Sequence, residues 1–523
     1  MSARPSSELW TAETAAAADR HTMDHLGIPS PLLMERAALC VAHEVAALRR
    51  GTGLPVVALC GPGNNGGDGL AMCRHLFGWE IPAHAVLVPG RHNATVAEQL
   101  ALCRGYGVTV AEQLPGGPAL VVDALLGTGS RGAPRGAVAT MLAQQAAVAG
   151  PRVAVDLPTG LDADTGAVHP EAVRADLTVT FVRAKVGLVV TPGRQHAGRV
   201  VVADIGLHGP PDRDRRQTLV DPGWVARVLS RLPAGAHKGQ RGHVGVVGGS
   251  RGTPGAAVLA GAGALRGGAG LCTVAGGDAD LGRELTVRRP ELMVTPASAP
   301  LSPEQTLPRA DALCVGPGLT DPADRVGLAA LWSDDDRPAV YDAGALDDVP
   351  LMCADRAQAG SMAGPRVITP HPGEAGRLLS RHDPSDPWSS GRVQQARLDA
   401  VRRLAACTGA VVVLKGEGTL VGTPAKDGAP EAVHVHVVPS GGPALATAGS
   451  GDVLAGLIAA LLARGLTAPV AAAVGAYVHG VAGERLDVGA VAMDVADALP
   501  LALGHVQSDA GRVHPRWPTL RRG

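Results

Sequence analysis

From Leu54 onward the chain alternates short runs of Val, Ala, Leu and Ile with longer Ala-rich stretches of helical character. The apolar runs predict strands at Leu54–Cys60, Ile81–Val88, Ala119–Leu125, Arg152–Leu157 and Leu177–Val182. Strands alternating with helices predict a parallel sheet with crossover helices, hence an α/β, Rossmann-like three-layer domain. Around Gly206–Gln217 the pattern breaks into Pro, Gly and charge, which marks a linker. The reading therefore divides the chain into residues 1–210 and 211–523. Beyond the break the rhythm restarts, with strands predicted at His243–Val247, Leu271–Ala275, Ala312–Val315, Ala339–Tyr341, Val367–Thr369 and Ala410–Leu414. Asp383–Ser390 reads as a surface loop. No internal repeat links the halves, so two unrelated domains are expected rather than a duplication.

Composition narrows the class. The chain has 523 residues and a net charge of −1, so no electrostatic field favours nucleic acid or an anionic membrane. Glycine (70) and proline (41) are abundant, but 46% hydrophobic content argues for a folded protein with many tight loops. Eight cysteines form no CxxC pair, which favours reduced core residues over zinc or disulfides. The N-terminus shows no secretory signal, and the longest apolar stretch, Val453 to Ala463, is too short to span a bilayer. A cytoplasmic enzyme, expected to be a homo-oligomer, is the natural class. Only four lysines and three asparagines survive a drift towards Ala, Gly, Arg, Pro and Val, so those that remain draw attention.

Two asparagines lie in GPGNNGGDGL, directly after the first predicted strand, where Gly61, Gly63 and Gly66 satisfy G-x-G-x-x-G. A strand, a glycine turn and a helix place backbone N–H groups where they can hold phosphate. The next strand ends in Val88, Pro89, Gly90 and Arg91, with no carboxylate for a ribose, which disfavours a simple NAD dehydrogenase. A tight turn alone would explain the glycines but not Asn64, Asn65 and Asp68. Asp123 lies inside a strand that leads into Gly127-Thr128-Gly129, and Asp156 and Thr159 sit at the end of another. A lone aspartate at a strand end is often a helix cap. Three such loops converging favour a site.

GPGNNGGDGL, DALLGTG and VDLPTGLDADTG, with MERAA, FVRAKVGL and VVVADIGL, resemble the NAD(P)H-hydrate epimerase domain (YjeF N-terminal domain) over about residues 10–208. The resemblance implies that Asn64, Asn65, Gly66, Gly67 and Asp68 hold substrate. It implies the same for Gly127, Thr128, Gly129, Ser130, Arg131, Gly132 and Ala133, and for Asp156. It also implies a potassium ion on Asn65, Asp123 and Thr159, where the family more often has Ser at the last position. Amide, carboxylate and hydroxyl oxygens suit a hard cation. The implied substrate is a hydrated nicotinamide whose hydroxyl sits beside the ring nitrogen, so water can leave and return through an iminium if one group moves the proton. Asp156 is the expected group, and Lys185 the second candidate.

In the second half no Gly-Lys pair exists, which excludes a Walker A loop. In ATAGSGDVLAGLIAALLA, Gly449, Ser450 and Gly451 are expected to precede an apolar helix whose N-terminus forms an anion hole. Asp452 in the first turn reads as a cap or, with the glycines, as a base towards a substrate hydroxyl. VVVLKGEGTLVG predicts a strand, a turn with Lys415, Gly416 and Gly418, and another strand, and ITPHPGEAGRLL puts His371 and Glu374 at a strand end. With HKGQRGHVGVVGGSRGTPGAA, RRPELMV and CVGPGL, these resemble the ADP/ATP-dependent NAD(P)H-hydrate dehydratases, of ribokinase-like fold, over about residues 218–510. The resemblance implies hydrate contacts at Ala257, Gly318, His371 and Asp452. It implies nucleotide contacts at Lys415, Gly416, Glu417, Gly418, Thr419 and Gly451, with Mg2+ beside the phosphates. The family often has Asp-Ala-Asp where this chain has Asp342-Ala343-Gly344, which leaves the part of Asp342 open.

The joined halves imply a bifunctional repair enzyme. It would interconvert R- and S-NADHX or NADPHX and dehydrate the S form with ADP, or with ATP in its place. A ribokinase-like vitamin or sugar kinase carrying an N-terminal nucleotide-binding or scaffold domain is the alternative.

Overall fold

The computed structural model describes residues 8–210, 215–229, 232–276, 289–296, 300–351, 362–426, 428–508 and 519–522. The chain forms two compact units, Met1–Gln217 with Pro515–Gly523, and Thr218–His514.

The first unit carries helices α1 (Ala12–Arg20), α2 (Ser30–Thr52), α3 (Asn64–Gly78) and α4 (Ala94–Tyr106). Its strands are β1 (Val56–Cys60), β2 (Ala83–Leu87), β3 (Thr109–Ala111), β4 (Leu120–Ala124), β5 (Arg152–Val155), β6 (Leu177–Phe181) and β7 (Arg199–Asp204). Together with β18 (Thr519–Arg522) they form an eight-stranded parallel sheet in the order β18-β7-β6-β5-β4-β1-β2-β3. Side chains alternate across it as the two-residue repeat of a strand requires. Val56, Ala58 and Cys60 join a core with α2 and α3, whereas Val57 and Leu59 join Met141 and Leu142 of the helix Gly136–Ala146 on the other face. Strand order reverses between β1 and β4, and open α/β sheets bind ligands in the crevice that such a reversal opens.

The second unit has strands β8 (Gln217–Leu219), β9 (His243–Val247), β10 (Leu271–Gly276), β11 (Met293–Pro296), β12 (Ala312–Val315) and β13 (Ala339–Tyr341). They continue with β14 (Arg366–Ile368), β15 (Val411–Leu414), β16 (Leu420–Thr423) and β17 (His434–Val437). The order is β11-β10-β9-β12-β13-β14-β15-β16-β17-β8, parallel from β11 to β15 and antiparallel at β15/β16 and β16/β17. The helices Pro254–Arg266, Ser450–Ala463, Ala468–Glu484 and Ala492–Ser508 bury one face of this sheet. The reversal here falls between β9 and β12.

The junction expected at residue 210 differs from this division. The Pro- and charge-rich run ends in β8, a strand too short to signal itself, and the last residues return to the first sheet. Seven cysteines are unbonded and buried; Cys353 and Arg288, the first residue of RRPELMV, lie outside the described residues. Among the described residues no helix is long and apolar enough to cross a membrane.

Candidate functional site

In the first unit the loops after β1 and β4 meet because glycine lets them. A Cβ on Gly61 would lie 1.8 Å from the Leu125 carbonyl oxygen, and one on Gly66 2.0 Å from the Gly61 oxygen. Gly67 is pressed against Met34 of α2 in the same way. With Gly63 as its cap, α3 starts at Asn64, so Asn65 and Asp68 lie buried in its first turns. Asn64 is exposed and accepts a bond from Asn93 Nδ2 at 2.8 Å. Gly129, Arg131, Gly132 and Ala133 are likewise exposed along the loop after β4.

Asp156, just past β5, is the centre of the cluster. Its backbone has φ +66°, an uncommon conformation for a residue with a side chain and one found more often at functional sites. Oδ2 accepts the Thr128 backbone N–H at 3.1 Å, and a Cβ on Gly127 would lie 3.3 Å from both this oxygen and Asn65 Oδ1. Oδ1 accepts Lys185 Nζ at 2.7 Å and the Thr180 hydroxyl at 3.1 Å. Lys185 spends its other donors on Thr180 Oγ1 at 2.9 Å and the Phe181 carbonyl at 3.2 Å. Burial pushes the Asp156 carboxyl up, but the Lys185 charge and the bonds from Lys185, Thr128 and Thr180 outweigh it and hold it below the ordinary range. Burial, with Asp156 and Asp19 adding to it, pushes Asp68 well above that range. Two carboxyl groups of one site are thus shifted in opposite directions, the pattern of a base beside an acid.

Asp123 on β4 is fully buried. It accepts the Thr159 backbone N–H at 2.7 Å and hydroxyl at 2.8 Å, and the Leu125 N–H at 3.2 Å. Burial raises its pKa to about 6 despite these bonds. Asn65 Nδ2 is buried with no hydrogen-bond partner. Turning this amide over presents an oxygen free to ligate instead. Asp123, Thr159 and Asn65 therefore supply the hard donors an alkali cation needs. Beside them a cavity of about 240 Å³ is lined by Gly127, Ser130, Gly132 and Ala133 from one loop and Thr159, Gly160 and Asp162 from the other.

In the second unit the loops after β9 and β12 join through Ser250 N–H to Gly318 O (2.8 Å) and Gly249 N–H to Pro317 O (2.9 Å). Gly318, at φ +72°, leaves no room for a side chain, since a Cβ would lie 2.4 Å from the Thr253 oxygen. Ala257 is fully buried, and it lies where a Cβ on Gly248 would come within 3.5 Å of it.

The helix Ser450–Ala463 begins two residues earlier than the sequence suggests: Gly449, at φ +87°, is the cap, and Ser450 and Gly451 form the first turn with Asp452. Glycine at 449 tolerates the left-handed backbone, so the helix starts without a linker. A Cβ on Gly451 would lie 3.1 Å from Lys415 Nζ and 3.7 Å from Asp342 Oδ2. Lys415 donates to Asp342 Oδ1 at 2.7 Å and lies 4.0 Å from Glu374 Oε2. Burial, the Asp342 charge and the Glu374 charge raise Asp452 to about 7, against the pull of Lys415. His371 caps the helix Pro372–His382: its Nδ1 accepts the Gly373 N–H at 3.0 Å, and the His371 backbone N–H donates to Glu374 Oε2 at 2.8 Å. Burial, then Lys415, lowers the His371 pKa, so the ring is neutral.

Several supporting residues carry no local signal in the sequence. Arg397, 1% exposed, donates through one Nη to the carbonyls of Leu414 (3.1 Å), Lys415 (3.2 Å) and Gly418 (3.4 Å), and so props the hairpin that carries Lys415 to Thr419. His479, neutral with a pKa lowered by burial to about 4, bonds the Ser450 carbonyl at 3.0 Å. Gly344 faces the Leu319 carbonyl so closely that a Cβ would lie 1.9 Å from it.

Two family profiles match the chain, YjeF-related protein N-terminus over residues 30–187 and NAD(P)H-hydrate dehydratase over residues 244–500. The bifunctional NAD(P)H-hydrate repair enzyme of Moorella thermoacetica is 37% identical over 96% of this chain and 97% of its own length. Its counterpart in Escherichia coli is 33% identical over 91% of this chain and 89% of its own. Among solved structures, the ADP/ATP-dependent NAD(P)H-hydrate dehydratase from Bacillus subtilis, co-crystallised with ATP and Mg2+, is 25% identical with a TM-score of 0.46. It covers 55% of this chain and 98% of its own. The chain belongs to the bifunctional NAD(P)H-hydrate repair enzymes, which join an NAD(P)H-hydrate epimerase to an ADP/ATP-dependent NAD(P)H-hydrate dehydratase.

Proposed function

We propose that residues 1–210 carry the epimerase and residues 211–523 the dehydratase, with Asp156 and Asp452 as their respective proton acceptors. The observation that carries this reading is the environment of the two carboxylates. Each sits at a glycine-shaped loop with a lysine beside it, Lys185 bonded to Asp156 and Lys415 over the first turn that holds Asp452. In the epimerase the ring-nitrogen lone pair expels the C6 hydroxyl, which takes up a solvent proton and leaves as water. Water then adds to the other face of the iminium and gives its proton to the Asp156 carboxylate, which passes it on to solvent. The Gly127–Ala133 loop and Asn64 to Asp68 would bind the substrate, and exposed Arg131 is free to meet its phosphates. K+ on Asn65, Asp123 and Thr159 would brace these loops by neutralising a buried carboxylate.

In the dehydratase the Asp452 carboxylate takes the proton of the C6 hydroxyl as its oxygen attacks the terminal phosphoryl group of ADP, releasing AMP. Phosphate then leaves C6, and loss of a C5 proton restores the dihydropyridine of NADH or NADPH. The N–H groups of Gly451 and Asp452 would face the transferring group, and Lys415 would add positive charge. Mg2+ would screen the nucleotide phosphates. His371, Gly318 and Ala257 would shape the hydrate's side of the site, Ala257 as buried wall, and Gly416 to Thr419 would take the nucleotide along the hairpin. The reading also makes the enzyme a cytoplasmic homo-oligomer, which light scattering tests.

The direct experiment is recovery of 340 nm absorbance from a mixed R/S NADHX pool by the pure protein with Mg2+ and ADP, then ATP. Full recovery, faster than spontaneous epimerisation, is expected. Recovery of the S fraction alone would defeat the epimerase assignment, and equal silence with both nucleotides would defeat the dehydratase assignment.

A further inference from the structure

The dehydratase chemistry gives Asp342 no task, yet this residue is among the most enclosed charged groups in the second unit. It follows β13, is 1% exposed, and its backbone N–H is tied to the Val315 carbonyl at 3.0 Å. Its Oδ1 accepts Lys415 Nζ at 2.7 Å, and its Oδ2 lies 3.7 Å from where a Cβ on Gly451 would stand. The same point lies 3.1 Å from Lys415 Nζ. The ion pair therefore stands over the first turn of the helix Ser450–Ala463, and any side chain at 451 would displace it. A lysine on a hairpin turn has four freely rotating bonds, so an ammonium over an anion hole needs something to hold it there.

We propose that Asp342 is a positioning residue of the dehydration: its carboxylate fixes the Lys415 ammonium at the mouth of the anion hole, where it meets the phosphoryl group in transfer. The proposal rests on the reading of Lys415 and Gly451 as phosphate contacts. Asp342 also acts on Asp452, because two carboxylates and one ammonium share the space. The charged and titratable groups around them are Glu374, His371 and Arg377 on the helix Pro372–His382, His479 on the helix Ala468–Glu484, and Cys314 on β12. His371 and His479 are neutral, and burial holds the Cys314 thiol protonated. The negative charge of Asp342 raises Asp452, so its removal lowers the pH at which Asp452 ionises.

The test is a double-mutant cycle in the full-length protein, with S-NADHX, Mg2+ and ADP as reactants. D342N is expected to lower kcat about 100-fold with KM for S-NADHX within about threefold, because a misplaced charge costs rate more than ground-state binding. Its acid limb in kcat is expected at lower pH than the parent's, and D342E should recover most of both. Since Asp342 acts through Lys415, adding D342N to K415M should cost about twofold or less. Losses that multiply would overturn the proposal, and so would a D342N enzyme within twofold of the parent, or one with an unmoved acid limb. A K415M enzyme as active as the parent would overturn the phosphate-contact reading and this proposal with it. Epimerisation of R-NADHX, which uses the other unit, is expected to be unchanged and reports that the variants are folded. Should D342N fail to accumulate, the D342E and K415M arms carry the same decision: D342E must keep the parent's acid limb, and a limb displaced from it rejects the proposal.

Discussion

Replacing Lys185 by Met puts the buried ion pair of the epimerase to the test. The substitution keeps the length of the side chain and removes the cation 2.7 Å from Asp156 Oδ1. Burial, the largest influence on this carboxyl, then acts with only the Thr128 and Thr180 bonds against it. Without that counter-charge, burial drives the Asp156 carboxyl above the ordinary aspartate range. Breaking one partner out of a buried pair costs about 3 to 5 kcal/mol, which the folded state loses near neutral pH. In the parent the folded pKa lies below the unfolded one. Its contribution to stability is therefore present above the usual aspartate range and is lost as pH falls through the depressed value. In K185M the sign reverses, and the variant is relatively more stable in mild acid. The assay is conversion of R-NADHX to the S epimer, followed by chromatography at pH 6 to 9 with the spontaneous rate subtracted. The parent should be nearly flat on the acid side, whereas K185M should lose activity progressively as pH falls across that range. K185M/D156N should regain thermal stability without activity. A K185M enzyme with the parent's flat profile would refute the argument that Lys185 keeps Asp156 ionised.

Other outcomes follow from the same geometry. The dehydration rate at saturating ADP should climb as pH rises through about 7, where Asp452 ionises, and D452N should abolish that limb and cost about 100-fold or more in kcat. Thr159→Val removes a ligand oxygen and the 2.8 Å bond to Asp123, so the epimerase rate should no longer respond when KCl replaces choline chloride at constant ionic strength. Gly61→Ala drives a methyl group into the Leu125 carbonyl and should cost about 3 kcal/mol in the first unit by calorimetry, while dehydration of S-NADHX persists. Arg397→Met leaves three carbonyls of the hairpin without their shared donor and should raise the apparent KM for ADP more than that for S-NADHX.

What the sequence revealed and what it hid differ in range. The strands around the two sites were legible because buried parallel strands are short apolar runs, and each expected run from β1 to β6 contains the observed strand apart from β3. Other strands, β7, β8, β11 and β18 among them, escaped, as did β3, a three-residue edge strand, and β17, which two histidines interrupt. The glycine loop after β1 was legible because a sharp turn needs Gly61 and Gly66 whatever surrounds it. Pairings across the fold were not. Thr180 is a polar residue in a central strand, which could have marked it, but only the parallel β5/β6 pairing brings it to Asp156. Asp19 reaches the same electrostatic neighbourhood from α1, and nothing in AETAAAADR distinguishes it from a surface charge. Arg397 sits in RLDAVRRLAACT among other arginines, and its burial depends on a hairpin formed later in the chain.

The return of the last strand alters how this protein must be built. The backbone leaves the first sheet after β7, completes the whole second unit, and only then supplies β18 to pair Thr519 with Val201 and Arg522 with Asp204. The nascent first unit therefore waits with an open strand edge while roughly the rest of the polypeptide is synthesised, and an open edge invites pairing with another chain. A fragment ending near residue 210, the natural choice for isolating the epimerase, keeps that edge permanently bare. Supplying residues 515–523 in trans, or fused behind a short glycine linker, would close it. A tag placed directly after Arg522 would instead burden the strand that seals the sheet.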